Sequence, residues 1–146
     1  MIGCWLWLST VTPFAAATEL VREEPISIGT ILANPQAFNM RAVRLQGILQ
    51  TIKHIPQAGM CKFGHYDAYV FTLNDASGEL LITERGPCFM RGTARLAKPV
   101  MSEFTTGESV EVIIDVSILF SPNFDSGNVE GALRWIERLP KPAGAK

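Results

Sequence analysis

The residues able to do chemistry gather in the middle of the chain: His54 and His65, Cys61 and Cys88, and the carboxylates Asp67, Asp75, Glu79 and Glu84. Cys61, His65, Asp67 and Cys88 carry the donor atoms of a metal site. Structural zinc, however, takes its ligands in close pairs such as C-x-x-C, and here Cys88 stands alone, far from Cys61 and His65. The lack of C-x-x-C argues equally against dithiol redox work. There is no Gly-x-Ser-x-Gly elbow, no phosphate loop, no His-Glu-x-x-His and no cofactor fingerprint. The carboxylates read as turn and surface groups. What remains is binding, and the chain reads as non-enzymatic, with no cofactor and no metal.

Two sets of residues could bind. Lys53, Lys62, His65, Tyr66 and Phe124 are polar and aromatic contacts on two expected loops, Lys53 to Asp67 and Ser121 to Asn128. His65 and Tyr66 read as a rim pair. Arg85, Arg91, Arg95 and Lys98 place four cations in a stretch that has no acid, with Phe89 among them. Cations interleaved with an aromatic can hold single-stranded nucleic acid by phosphate contact and stacking, or an acidic partner by charge alone. The whole chain, with 13 Lys and Arg against 14 Asp and Glu, has no basic coat for nucleic acid.

The elements that must position these residues follow from patterning. With 146 residues, 47% of them apolar, the chain suffices for one domain with a core of its own. Residues 1–17 are a charge-free apolar run closing on Ala15, Ala16 and Ala17, the pattern of a secretory leader, though no Lys or Arg precedes the run. Residues 18–40 are a polar segment plus a short helix capped by Ser27, with Ile28, Ile31 and Leu32 at helical spacing and Asn34-Pro35 as its end. Residues 41–140 carry the strands, and residues 141–146 are a tail.

Period-two alternation marks the strands. Val43, Leu45, Gly47 and Leu49 share one face of the first. Tyr69, Phe71 and Leu73, then a turn at Asn74 to Gly78, then Leu80 and Ile82, make a hairpin. Val110, Val112, Ile114, Val116, Ile118 and Phe120 line the fourth strand, and Val129 to Leu139 forms the fifth. A short helix is expected around Lys98 to Phe104. The fold class is therefore all-β: a five-stranded OB-fold Greek-key barrel, with a short N-terminal helix and a helix between strands three and four.

The runs VRLQGILQTI, YVFTLNDASGELLI and GESVEVIIDVSI carry a resemblance. With Gly47 in strand one, Phe71 leading into Asp75, Ser77 and Gly78, and Gly107-Glu108 opening strand four, the chain resembles bacterial OB-fold proteins of the tRNA-anticodon-binding-like type. That resemblance implies the barrel over Arg41 to Leu139, with nucleic acid as one ligand class. His65 and Tyr69 also match the His-x-x-x-Tyr spacing of the OB-fold haem chaperones of cytochrome c maturation. In that family the motif follows the last strand, whereas here it leads into the second, so haem is not expected.

Removing the leader leaves two cysteines, and an even count in an exported chain implies a disulfide. If Leu73 faces Leu80 across the hairpin, Cys61 and Cys88 fall within a few residues of facing one another at its open end. The expected function is an exported binding module recognising a small ligand, a glycan or an envelope protein. The alternatives are a single-stranded nucleic-acid binder and an accessory subunit of an envelope complex.

Overall fold

In the computed structural model the described residues are 24–62, 64–90, 100–119 and 128–140. The expected leader, the tail, Arg91, Arg95, Lys98 and Phe124 lie outside them, as do the side chains of residues 89, 90 and 119.

Alternation becomes five strands: β1 Ala42–Cys61, β2 Gly64–Asp75, β3 Gly78–Met90, β4 Ser109–Leu119 and β5 Asn128–Arg138. They close into a barrel in the order β1-β2-β3-β5-β4. All pairings are antiparallel except β3 with β5, which run parallel over Leu81–Thr83 and Glu130–Ala132. This is the OB-fold order, as the strand spacing led one to expect.

β1 serves two partners. Ala42 to Ile48 pair with β4, and Ile48 to Cys61 pair with β2. At the handover the chain bends so sharply that a Cβ on Gly47 would sit 2.5 Å from the Asn74 carbonyl oxygen and 3.0 Å from Leu73 Cγ. Glycine is required there by close approach.

The inward positions form one apolar core. Val43, Leu45, Leu49, Phe71, Leu73, Leu80, Ile82, Val110, Val112, Ile114 and Val116 are all buried. Each such side chain contributes roughly 1.5–3 kcal/mol by leaving water. Helix α1, Ile28–Ala33, adds Ile28 and Ile31 to that core. Its seat is the β2–β3 turn: the Asp75 carboxylate accepts the Ile28 N–H at 2.8 Å, and Ser77 Oγ accepts the Gly29 N–H at 2.7 Å. The Asp-x-Ser-Gly turn thus anchors the N-terminal helix. Burial pushes the Asp75 carboxyl up, but the Ser77 hydroxyl and the N–H groups of Ile28, Ser77 and Gly78 outweigh it and hold the group below its ordinary value.

Four expectations need correction. Pro35 does not merely end α1. It opens a second short helix, α2 Pro35–Phe38, where its missing N–H costs nothing. The helix expected around Lys98 to Phe104 is, among the described residues, a single 3-10 turn, Val100–Glu103. Glu84, read as a surface carboxylate, is 9% exposed and accepts the N–H groups of Val100 at 2.7 Å and Met101 at 2.8 Å, so that Met101 enters the core. The largest change concerns the loop expected from Lys53 to Asp67. Residues 53–61 and 64–67 are strand: β1 and β2 continue as a paired ribbon up to the turn at Lys62.

Candidate functional site

Turn formers made this ribbon look like a loop. Pro56, Gln57 and Gly59 sit in an irregularity of β1, between the pairs Ile55–Ala68 and Gly59–Tyr66, with Gln57 at a positive φ of 51°. A second irregularity lies on the β2–β3 side between Tyr66 and Ala68. Bulges of this kind re-aim side chains, and here both flank Asp67.

Asp67 is 4% exposed. Its Oδ1 accepts the Gln57 N–H at 2.9 Å, and its Oδ2 lies 3.2 Å from His54 Nε2. The His54 ring stacks on Tyr69, with centroids 4.7 Å apart and planes at 27°. His54 and Tyr69 are direct cross-strand partners. Alternation along β2 puts His65, Asp67 and Tyr69 on the same face as the core residues Phe71 and Leu73. The result is a half-exposed imidazole, with a side-chain exposure of 36%, set over the barrel's inner side and held on two of its sides by a buried carboxylate and a phenol ring.

The expected mouth set is divided by this geometry. His65 lies on the inner face beside this cluster. Lys53 and Tyr66 point outward, Lys62 occupies the turn, and Phe124 lies outside the described residues. The two histidines, read as sharing one loop, stand on different strands. Asp67, read as a turn or surface group, is buried beneath His54.

The second expected set is also redistributed. Arg85 lies on the outer face, its guanidinium carbon 5.0 Å from the centroid of Tyr66. Tyr66 in turn leans on Gly59, where an added Cβ would meet the ring at 2.6 Å and 2.8 Å. Two residues assigned to separate sites are therefore in contact. Phe89 pairs through its backbone with His65, and Arg91, Arg95 and Lys98 lie outside the described residues.

The disulfide is present. Cys61 on β1 bonds Cys88 on β3, with Cα atoms 6.0 Å apart, and so bridges across β2. Gly64, directly opposite Cys61, has no side chain in its path. Three of the four residues considered as metal donors are thereby committed: Cys61 and Cys88 to the disulfide, and Asp67 to His54 and Gln57.

His54, Asp67 and Tyr69 do not stand out as a unit in the sequence, because they lie on two strands. Register could have found them. Once Leu49 faces Leu73, His54 arrives at Tyr69 with only one residue of slip, absorbed between Leu49 and Ile52.

The chain matches no protein-family model and no curated protein. Among solved structures it is similar to one described as an aspartyl-tRNA synthetase from Leishmania major Friedlin, with a TM-score of 0.53 and 15% identity. The match covers 87% of this chain and 23% of that one, so the chain spans about a quarter of its neighbour's length. At this identity the likeness shows the shared OB-type barrel alone.

Proposed function

We propose that the protein is an exported, non-enzymatic OB-fold binding module, which takes a small polar ligand or a glycan, free or carried by an envelope protein, at the inner face of the β1–β2 ribbon. The observation that carries this reading is the His54–Asp67 pair. A buried carboxylate accepting from Nε2 fixes the ring and leaves Nδ1 for a ligand hydroxyl, while Tyr69 and His65 line the same face. A rigid aromatic platform with oriented polar atoms is how proteins grip hydroxyl-rich molecules without covalent chemistry.

Export is supported by the charge-free run at residues 1–17 and by the disulfide, a bond of oxidising compartments. No helix among the described residues is long and apolar enough to cross a membrane.

A second reading, single-stranded nucleic acid, draws on the fold likeness to a tRNA synthetase and on the cations Lys53, Lys62 and Arg85 around the ribbon. Two features weigh against it: the Tyr66 ring already carries Arg85, and Tyr69 already carries His54, so a base would have to displace a ring partner to stack. Titration of isotope-labelled protein with tri-N-acetylchitotriose, inorganic phosphate and a short oligothymidylate separates the readings. Saccharide shifts at the Gln57 N–H and the Tyr69 ring that vanish in His54→Ala support the first. Shifts caused only by the oligonucleotide, and falling steeply with salt, replace it with the second.

A further inference from the structure

The outer face of the barrel, on the reverse of the sheet from the His54 cluster, has an order of its own. Outward positions on β3 run Glu79, Leu81, Thr83, Arg85, and those facing them on β2 run Asn74, Thr72, Val70, Ala68. One end is anionic, the other cationic, and the middle is apolar or hydroxylated. Leu81 in that middle is 39% exposed, large for an apolar side chain on a sheet face. At the anionic end lies a depression of about 360 Å³ lined by Thr72, Glu79, Leu81, Asn128, Val129 and Glu130. At the other end Arg85 stands exposed, supported by the Tyr66 ring.

We infer that this face binds a second copy of the same chain. A two-fold axis lying in the interface and crossing the strands at Ile82 turns the β3 series end for end. Arg85 of one copy then meets Glu79 of the other, twice by symmetry, and Leu81 packs against Thr83. An isologous contact needs this self-complementarity, in which residue i meets j and j meets i. Shape follows charge. The projecting Arg85 enters the depression, where Glu130 on β5, opposite Leu81, supplies a second carboxylate. A guanidinium between two carboxylates is a favoured pairing.

Charge complementarity selects the occupant. A uniformly acidic partner would meet Glu79 and Glu130, a uniformly basic one would meet Arg85 and Lys53, and a second copy meets neither conflict. The β1 edge of the ribbon does not compete as a docking surface, because Lys53, Pro56 and two irregularities blunt it against strand addition. The inner face stays open in such a dimer, so the inference stands apart from the ligand site.

The test is sedimentation of the full, disulfide-intact chain at low ionic strength. The wild type should run at twice its chain mass and shift toward the monomer as salt rises. Glu79→Arg and Arg85→Glu should each raise the dimer dissociation constant more than about a hundredfold, because each sets like charges against one another twice. An equimolar mixture of the two variants should recover the dimer, which also shows that both are folded. His54→Ala should dimerise as the wild type does, whatever becomes of ligand binding. A wild type that sediments as a monomer overturns the inference. So do single variants that dimerise normally, and so does a mixture that stays monomeric.

Discussion

The guanidinium of Arg85 lies over the ring of Tyr66, 5.0 Å from its centroid, and so joins β3 to the β1–β2 ribbon on the outer face of the barrel. This contact makes the two residues one unit. Exposed cation–π pairs contribute about 0.5–1 kcal/mol. A double-mutant cycle with Tyr66→Ala and Arg85→Ala, followed by denaturant unfolding, should return a coupling energy in that range. Additive losses would mean that the two side chains act separately.

The disulfide should stabilise the fold by about 3.5 kcal/mol on the chain-entropy account, since it closes a loop with a sequence separation of 27. Because the bridge clamps only the ribbon's end, Cys61→Ser with Cys88→Ser should lower the melting temperature while the far-ultraviolet spectrum keeps its sheet signal. Hydrogen exchange should quicken first at Gly59, Met60 and His65. Loss of the whole sheet on reduction would show that the barrel cannot stand without the staple.

Asp75 makes the fold acid-sensitive. Its carboxyl is held below the ordinary 3.8, so the unfolded chain binds the proton more readily. The stability it supplies is full above that ordinary value and is lost as pH falls through the lowered, folded value. Glu108 acts with the same sign: the Thr105 hydroxyl and then Arg138 outweigh its desolvation and hold it below 4.5. Asp75→Ala should cost at least about 2 kcal/mol, since it strands backbone donors of α1 and the turn. It should also flatten the acid limb of a stability–pH profile recorded by chemical denaturation. An unchanged acid limb would remove Asp75 from this role.

Legibility in the sequence tracked burial. The alternating positions Val43, Leu45 and Leu49, Phe71 and Leu73, Leu80 and Ile82, and Val110 to Val116 all face the core, because a half-buried strand must repeat every two residues. The ribbon was not legible. KHIPQAGMC has the composition of a loop, and what keeps it a strand is non-local: the Asp67 carboxylate on the Gln57 N–H and the bridge from Cys61 to Cys88. The same holds for the candidate site. His54 and Asp67 are ordinary residues until strand pairing brings them together, and Glu84 reads as surface until the 3-10 turn is laid on it. The Asp75-Ser77-Gly78 turn was legible as a turn, but its second task, holding α1, depends on an element 47 residues earlier.

Whether the inner face of the ribbon around His54 is the binding surface is decided by one nuclear magnetic resonance titration. Labelled wild type and His54→Ala, with disulfide intact, are titrated with tri-N-acetylchitotriose. In the wild type, saturable shifts should appear at the Gln57 N–H, the His54 and His65 imidazoles and the Tyr69 ring. In His54→Ala they should be absent while the core signals of Phe71 and Leu73 stay in place. Shifts confined to the outer face around Leu81 and Arg85, or no saturable shift at His54, would mean that the ribbon's inner face is not the binding surface.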